Sequence, residues 1–249
     1  MCRHLAYVGP PVSLRTLLYD PPYSLLRQSW APRDMRGGGT INADGFGVGW
    51  YPAGGGPPVR YRRGTPMWSD VTLPELAATT SSGAVLAAVR SATVGMPVLD
   101  TAAAPFAEGP WLFSHNGVVR GWPDTVTGLA GRLPVRDLLT LDAPTDTALL
   151  WALVRDRLRA GEDPARAVAE TVLRVAAAAP GSRLNLLLTD GRTVVASVAG
   201  HALSIRQATG AVLLASEPHD DDPGWQAVPE GRLVVATAAG TRIAALADG

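Results

Sequence analysis

The chain contains no lysine: all 22 of its basic residues are arginine. That excludes a Schiff-base lysine, a Walker-type phosphate lysine and a Ser–Lys dyad. Cysteine is nearly absent too. A single residue, Cys2, rules out an intramolecular disulfide and a cysteine-rich metal centre. The four histidines, His4, His115, His201 and His219, include no His-x-x-x-His pair, so no metal site is expected. Neither sign of charge is in excess, with 22 basic residues against 22 acidic ones, so nothing points to nucleic acid or to an anionic membrane surface. No apolar run is long enough to cross a membrane. The start, Met-Cys-Arg-His-Leu-Ala-Tyr-Val, is too short an apolar stretch for a signal peptide, and a cytoplasmic protein is expected.

What is present is a globular composition. At 249 residues, 47% hydrophobic and 18% charged, the chain has enough apolar surface for one domain or two small ones. His4 to Val8 reads as a strand ended by Gly9-Pro10-Pro11, and Ser13 caps a short helix to Tyr19. Residues 33–45 read as a Gly-rich loop. Gly45 to Tyr51 reads as a strand whose glycines permit close approach beside a ligand, with Val59 to Arg63 returning after a turn. Pro74 to Thr80 is expected to be helical. Val85 to Arg90 and Trp111 to Ser114 are expected to be buried strands, joined by a loop over 95–110.

Apolar spacing predicts helices from Thr147 to Arg159 and from Pro164 to about Ala179. Six short apolar runs follow, Leu184 to Thr189, Thr193 to Ala199, Ala202 to Arg206, Val212 to Ser216, Leu233 to Thr237 and Arg242 to Ala245. The first of these are separated by Asp190-Gly191 and Gly200, a hairpin pattern. The order of strands, two helices and more strands fits an α+β architecture of two antiparallel sheets with helices outside, among other layouts.

Four places can carry chemistry. Cys2 becomes N-terminal if Met1 is removed, which puts a thiol and a free α-amine of pKa roughly 8 on one residue; the alternative is a small buried hydrophobe. In Ser114-His115-Asn116-Gly117, the Asn116 amide and the Gly117 N–H can hold an oxyanion, whereas an ordinary Asn-Gly turn is the competing reading. Arg90 ends a strand, where it can fork onto a carboxylate or make an ion pair. Asp146 begins a helix, where it can cap the helix or hold an ammonium. A fifth stretch, Ser216-Glu217-Pro218 through Asp220, Asp221 and Trp225, is acidic and ends in an aromatic. It reads as a solvated loop, or as a specificity loop for a cationic substrate.

Taken in order, the Cys2 start, Ala88-Val89-Arg90-Ser91-Ala92-Thr93, His115-Asn116-Gly117 and Thr145-Asp146-Thr147 resemble the motifs of class II glutamine amidotransferases, a family of N-terminal-nucleophile hydrolases. Met-Cys-Arg-His, Asn42-Ala43-Asp44-Gly45, Arg90 through Pro97, and Ser216 through Trp225 resemble one branch of it, the γ-glutamyl hercynylcysteine sulfoxide hydrolases of ergothioneine biosynthesis. The resemblance implies a four-layer αββα sandwich, with residues 1–249 as one domain, and no cofactor. It implies a small-molecule γ-glutamyl substrate and no nucleic-acid or membrane partner. Cys2 would attack the γ-carbonyl to form a thioester, and Asn116 with Gly117 would hold the oxyanion. Arg90, with Thr93 in its motif, would bind the glutamyl α-carboxylate, and Asp146 the α-ammonium. The loop of Glu217, Asp220, Asp221 and Trp225 would meet the leaving group. Two departures from many synthesis-linked members are Ser91 and Val94. The other readings are a glutamine-hydrolysing subunit that feeds ammonia to a partner, and a silent binding protein on the same scaffold. The oligomeric state is left open, a homo-oligomer included.

Overall fold

The computed structural model describes residues 2–34 and 41–248. Along the chain the elements are β1 (Arg3–Ser13), α1 (Leu14–Leu18), α2 (Leu25–Gln28), β2 (Phe46–Trp50), β3 (Val59–Arg63), α3 (Leu73–Thr79), β4 (Ser81–Val89), β5 (Phe106–Glu108) and β6 (Trp111–Val118). Then come α4 (Thr127–Ala130), α5 (Val135–Leu139), α6 (Asp146–Arg159), α7 (Pro164–Ala178), β7 (Arg183–Thr189), β8 (Thr193–Val198), β9 (Ser204–Ala208), β10 (Ala211–Ala215), β11 (Trp225–Ala227), β12 (Arg232–Thr237) and β13 (Gly240–Ala245). They form two antiparallel sheets, in the orders β11-β9-β10-β1-β4-β2-β3 and β13-β12-β8-β7-β6-β5.

Three hydrophobic clusters define four layers. One packs α1, α2 and α3 on the first sheet through Leu14, Leu25, Leu73, Leu5 and Val85. A second lies between the sheets, with Ala6, Leu86, Leu112, Leu187 and Leu214. The third joins the second sheet to α6 and α7, where Trp151 stacks on Phe113 at 5.3 Å. Strand alternation explains the division. On β1, Leu5 and Tyr7 face helices while Ala6 and Val8 face the other sheet. The expected αββα sandwich is the observed architecture.

The two long helices follow their local chemistry. The Thr145 hydroxyl accepts from Ala148 N at 3.2 Å and caps α6, so Asp146 is the first helical residue rather than the cap. The Asp163 carboxylate caps α7, with Pro164 at its first position.

Several expectations are corrected. β1 continues through Pro10 and Pro11 to Ser13, by a register shift between Val8 and Val12. The 95–110 segment is not all loop, since β5 pairs Phe106 with Phe113. Asn116-Gly117 is not a turn: both lie within β6, opposite Asn185 and Leu184. Trp225 opens β11 instead of ending a loop. The β2 glycines face protein, not a ligand: a Cβ on Gly49 would stand 2.8 Å from Leu112 Cδ1, and one on Gly47 would overlap the Ala104 carbonyl. The short helices α2, α4 and α5 carry too few residues for a helical period to show in sequence. Part of the expected 33–45 loop, residues 35–40, lies outside the described residues.

Candidate active site

One end of the sandwich collects the candidate residues. On the first sheet this is the start of β1, the end of β4 and the end of β10. Arg3 lies opposite Val89, and Ser216 N donates to His4 O at 3.0 Å. On the second sheet it is the end of β6 beside the start of β7. The sheets are tied together here: His4 Nδ1 and Ser114 Oγ, both buried, are 3.1 Å apart.

Cys2 sits just before β1 and is half-buried, with its Sγ 3.8 Å from Ser91 O. Alternation puts Leu112, Ser114 and Asn116 of β6 on the face toward the first sheet. Leu112 packs there, and the next two inward positions are polar. Asn116 is 1% exposed, and its Nδ2 donates to Ser216 Oγ at 3.2 Å. That hydroxyl also accepts from His4 N at 3.0 Å and donates to His4 O at 3.2 Å. One serine therefore fixes the Asn116 amide to β1 at His4, two residues after Cys2. The second Nδ2 hydrogen remains available, and Asn116 Oδ1 is buried with no partner. Glycine is required at 117, because a Cβ there would overlap the Arg183 carbonyl across the ladder.

Arg90 lies at the end of β4. Its Nη1 donates to Pro97 O at 2.9 Å and Asp44 O at 3.3 Å. No carboxylate lies within 4.0 Å of it among the described residues, so the ion-pair reading of Arg90 does not hold there. The Asp44 carboxylate accepts from Ala92 N at 2.8 Å and shapes the turn after Arg90. Thr93 is exposed in that loop, and its carbonyl accepts from Met96 N. Asp146 is buried; it accepts from Thr147 N at 2.8 Å within α6 and from Val119 N at 3.0 Å, and the latter bond ties the start of α6 to the chain leaving β6.

Glu217, Asp220, Asp221 and Trp225 line an open cleft of about 760 Å³. Through Asp34, Ala202 and Ser216 it shares walls with a recess of about 10 Å³ that also touches Arg3, Asn116 and His201. Most of the loop's charge is already matched. Glu217 accepts from Arg33 N at 3.0 Å and Asp34 N at 2.8 Å, and stands 3.7 Å from Arg3 Nε. Asp221 pairs with Arg33 at 3.1 Å, and Asp220 with Arg206 at 2.8 Å. The Arg206 guanidinium lies over the Trp225 ring at 5.0 Å.

Sequence reasoning missed Arg3, Asp34, Asn185 and Ser216 as site residues, and left His4 without a role. The signal for His4 was there: it is a polar residue in the inward register of a strand otherwise apolar on that face, and Ser114 stands in the same inward register of β6 as Leu112 and Asn116. Asp34 and Asn185 come from distant segments and carry no comparable mark.

All four histidines are buried, and burial lowers each pKa. His4 falls well below 6.5, and His201 and His219 to about 4. The unfolded chain therefore binds more protons than the folded one between pH 6.5 and 4. Stability is full above this window and is lost as pH falls through it. A thermal melt series is expected to show Tm declining from pH 6.5 to pH 4, and a flat Tm would contradict buried neutral imidazoles.

No helix among the described residues is long and apolar enough to cross a membrane, and they hold no cluster of metal-ligating side chains.

The two-sheet sandwich thus carries Cys2 just ahead of its central strand β1 and Asn116-Gly117 at the end of β6. The family model of class-II glutamine amidotransferases matches residues 23–209, and the chain belongs to that family. It is 42% identical over 234 residues to the γ-glutamyl-hercynylcysteine sulfoxide hydrolase of Mycolicibacterium smegmatis, covering 94% of this chain and 95% of that one. It is 41% identical over 246 residues to the protein of the same name from Mycobacterium tuberculosis, covering 99% and 97%. Among solved structures, a glutamine aminotransferase class-II domain protein from Silicibacter pomeroyi superposes with a TM-score of 0.71 at 25% identity, covering 98% of this chain and 99% of that one.

Proposed function

We propose that the protein hydrolyses the γ-glutamyl amide of γ-glutamyl-hercynylcysteine sulfoxide, releasing glutamate and hercynylcysteine sulfoxide. The observation that carries this reading is the tie from β1 through Ser216 to the Asn116 amide. It ties the candidate oxyanion donor to the strand that follows the candidate nucleophile, and acyl transfer needs both groups. The likeness to the mycobacterial hydrolases over nearly the whole chain supplies the substrate.

Removal of Met1 frees the Cys2 α-amine. The α-amine takes the Cys2 thiol proton, the thiolate attacks the γ-carbonyl carbon, and the carbonyl π pair moves onto oxygen, held by Asn116 Nδ2 and Gly117 N–H. On collapse the C–N bond breaks, and the α-amine passes its proton to the departing nitrogen. Water then attacks the glutamyl thioester and releases glutamate, returning the thiol. Arg90 binds the α-carboxylate, with Thr93 in the adjoining loop, and Asp146 the α-ammonium. Intact-mass analysis tests the chemistry: the purified protein lacks Met1, and rapid quenching with substrate adds one glutamyl group at Cys2. Retained Met1 in an active enzyme would overturn the role of the α-amine.

Substrate grip is divided. Arg90→Gln and Asp146→Asn each remove a charge-assisted contact worth about 1.5–3 kcal/mol. Each is expected to lower kcat/KM by roughly tenfold to a hundredfold, mainly through KM, and steady-state kinetics with unchanged KM would remove the assignment. Asp220, Asp221 and Trp225 would meet the cationic trimethylammonium of the leaving group in place of the arginines they hold in this structure. Exchange of Asp220, Asp221 and Trp225 for neutral aliphatic residues is expected to raise KM for the sulfoxide conjugate, and unchanged kinetics would exclude the loop.

The second reading, a glutaminase subunit that feeds ammonia to a partner, is the weaker one: the named hydrolases match this chain almost end to end.

A further inference from the structure

His201 has no part in the chemistry described above, yet it lines the recess at Asn116 and is 2% exposed. Its backbone is clamped from both sides by one side chain. His201 N donates to Asn185 Oδ1 at 3.1 Å, and Asn185 Nδ2 donates to His201 O at 2.9 Å. Asn185 is the cross-strand partner of Asn116, so the imidazole is held in register with the oxyanion amide through a single rung of the sheet.

Arg183 decides the tautomer. Its Nε, always protonated, donates to His201 Nε2 at 2.9 Å. Nε2 is therefore the acceptor, and the ring proton sits on Nδ1. Nδ1 makes no hydrogen bond to the described residues. Burial, then the charges of Arg183 and Arg3, lowers the His201 pKa to about 4, so the ring stays a neutral donor near neutral pH. The bond from Arg183 also polarises the ring and strengthens Nδ1–H as a donor.

The local charge is uneven. Arg3 is matched by Glu217, with 3.7 Å between Nε and Oε2, and by the nearby Asp34 carboxylate. Arg183 has no carboxylate within 4.0 Å among the described residues, and it lies near enough to Cys2 for their charges to interact. A fixed N–H donor backed by an unbalanced guanidinium is built for an anion. The proposed substrate carries one at the right place. Its cysteine unit, acylated on nitrogen, holds a carboxylate one carbon from the scissile nitrogen. Glutamine, whose leaving group is ammonia, holds none.

We propose that His201, positioned by Arg183, binds the carboxylate that an amino-acid leaving group carries beside the scissile nitrogen, and so makes the site select γ-glutamyl amino acids over glutamine. The proposal rests on the hydrolase reading above and adds the residue that enforces it.

The test compares kcat/KM for γ-glutamyl-hercynylcysteine sulfoxide with that for the same conjugate amidated at the cysteine carboxyl alone. The wild type is expected to favour the carboxylate by roughly tenfold to a hundredfold. His201→Phe and Arg183→Met bring this ratio close to one by raising KM for the carboxylate form. His201→Asn, whose amide N–H stands where Nδ1–H stood, restores part of it. A wild-type ratio near one overturns the proposal, and so does an undiminished ratio in folded His201→Phe. Cleavage of neither conjugate by the wild type would instead overturn the hydrolase reading itself.

Discussion

Cys2→Ala is expected to release glutamate no faster than the buffer blank, a loss of roughly 10⁴-fold or more in kcat. No other cysteine exists to take over, and no lysine is present to substitute as a nucleophile. The fold should survive, because Cys2 lies ahead of β1 and its thiol makes one long contact, 3.8 Å to the Ser91 carbonyl. The variant should therefore still bind substrate, and calorimetric titration can measure this. Cys2→Ser, with a less nucleophilic atom in the same place, should retain a trace of activity. Substantial glutamate release by Cys2→Ala would remove the thioester mechanism altogether.

The second large effect belongs to Asn116. Loss of one oxyanion donor costs about 10²–10³ in kcat, so Asn116→Ala is expected to fall in that range with KM changed by a few-fold at most. The side chain touches charge that develops only in the transition state, which is why kcat rather than KM responds. Ser216→Ala should give a smaller loss in the same direction, because it frees the amide without deleting it. An Asn116→Ala rate within a few-fold of wild type would show that the oxyanion is held elsewhere.

How much of this was legible in the sequence differs by element. The long helices announced themselves, since Leu149, Leu150, Leu153 and Val154 repeat at helical spacing and Pro164 marks the start of α7. The strands of the second half were readable because turn residues separate short apolar runs. Asn116-Gly117 was misleading on local grounds: the pair favours a turn in isolation, yet tertiary pairing with Asn185 and Leu184 keeps it in a strand. The β2 glycines invited a ligand, whereas their real neighbours, Ala104 and Leu112, are distant in sequence. The same limit applies to the recess. Its walls come from β1, the segment before residue 35, β6, the turn after β8 and the end of β10. No single window of sequence contains more than a fragment of that set. The catalytic candidates were visible because each stands in its own short motif, while the residues that hold Asn116 and His201 in place, Ser216, Asn185 and Arg183, are defined only by what they touch.

The most direct measurement is glutamate release from γ-glutamyl-hercynylcysteine sulfoxide and from glutamine at equal concentration, with Cys2→Ala as the blank. The account predicts Cys2-dependent release that favours the sulfoxide conjugate by about tenfold or more, as an added leaving-group contact requires. Equal or faster release from glutamine would contradict it, and would make the protein a source of ammonia for a partner enzyme.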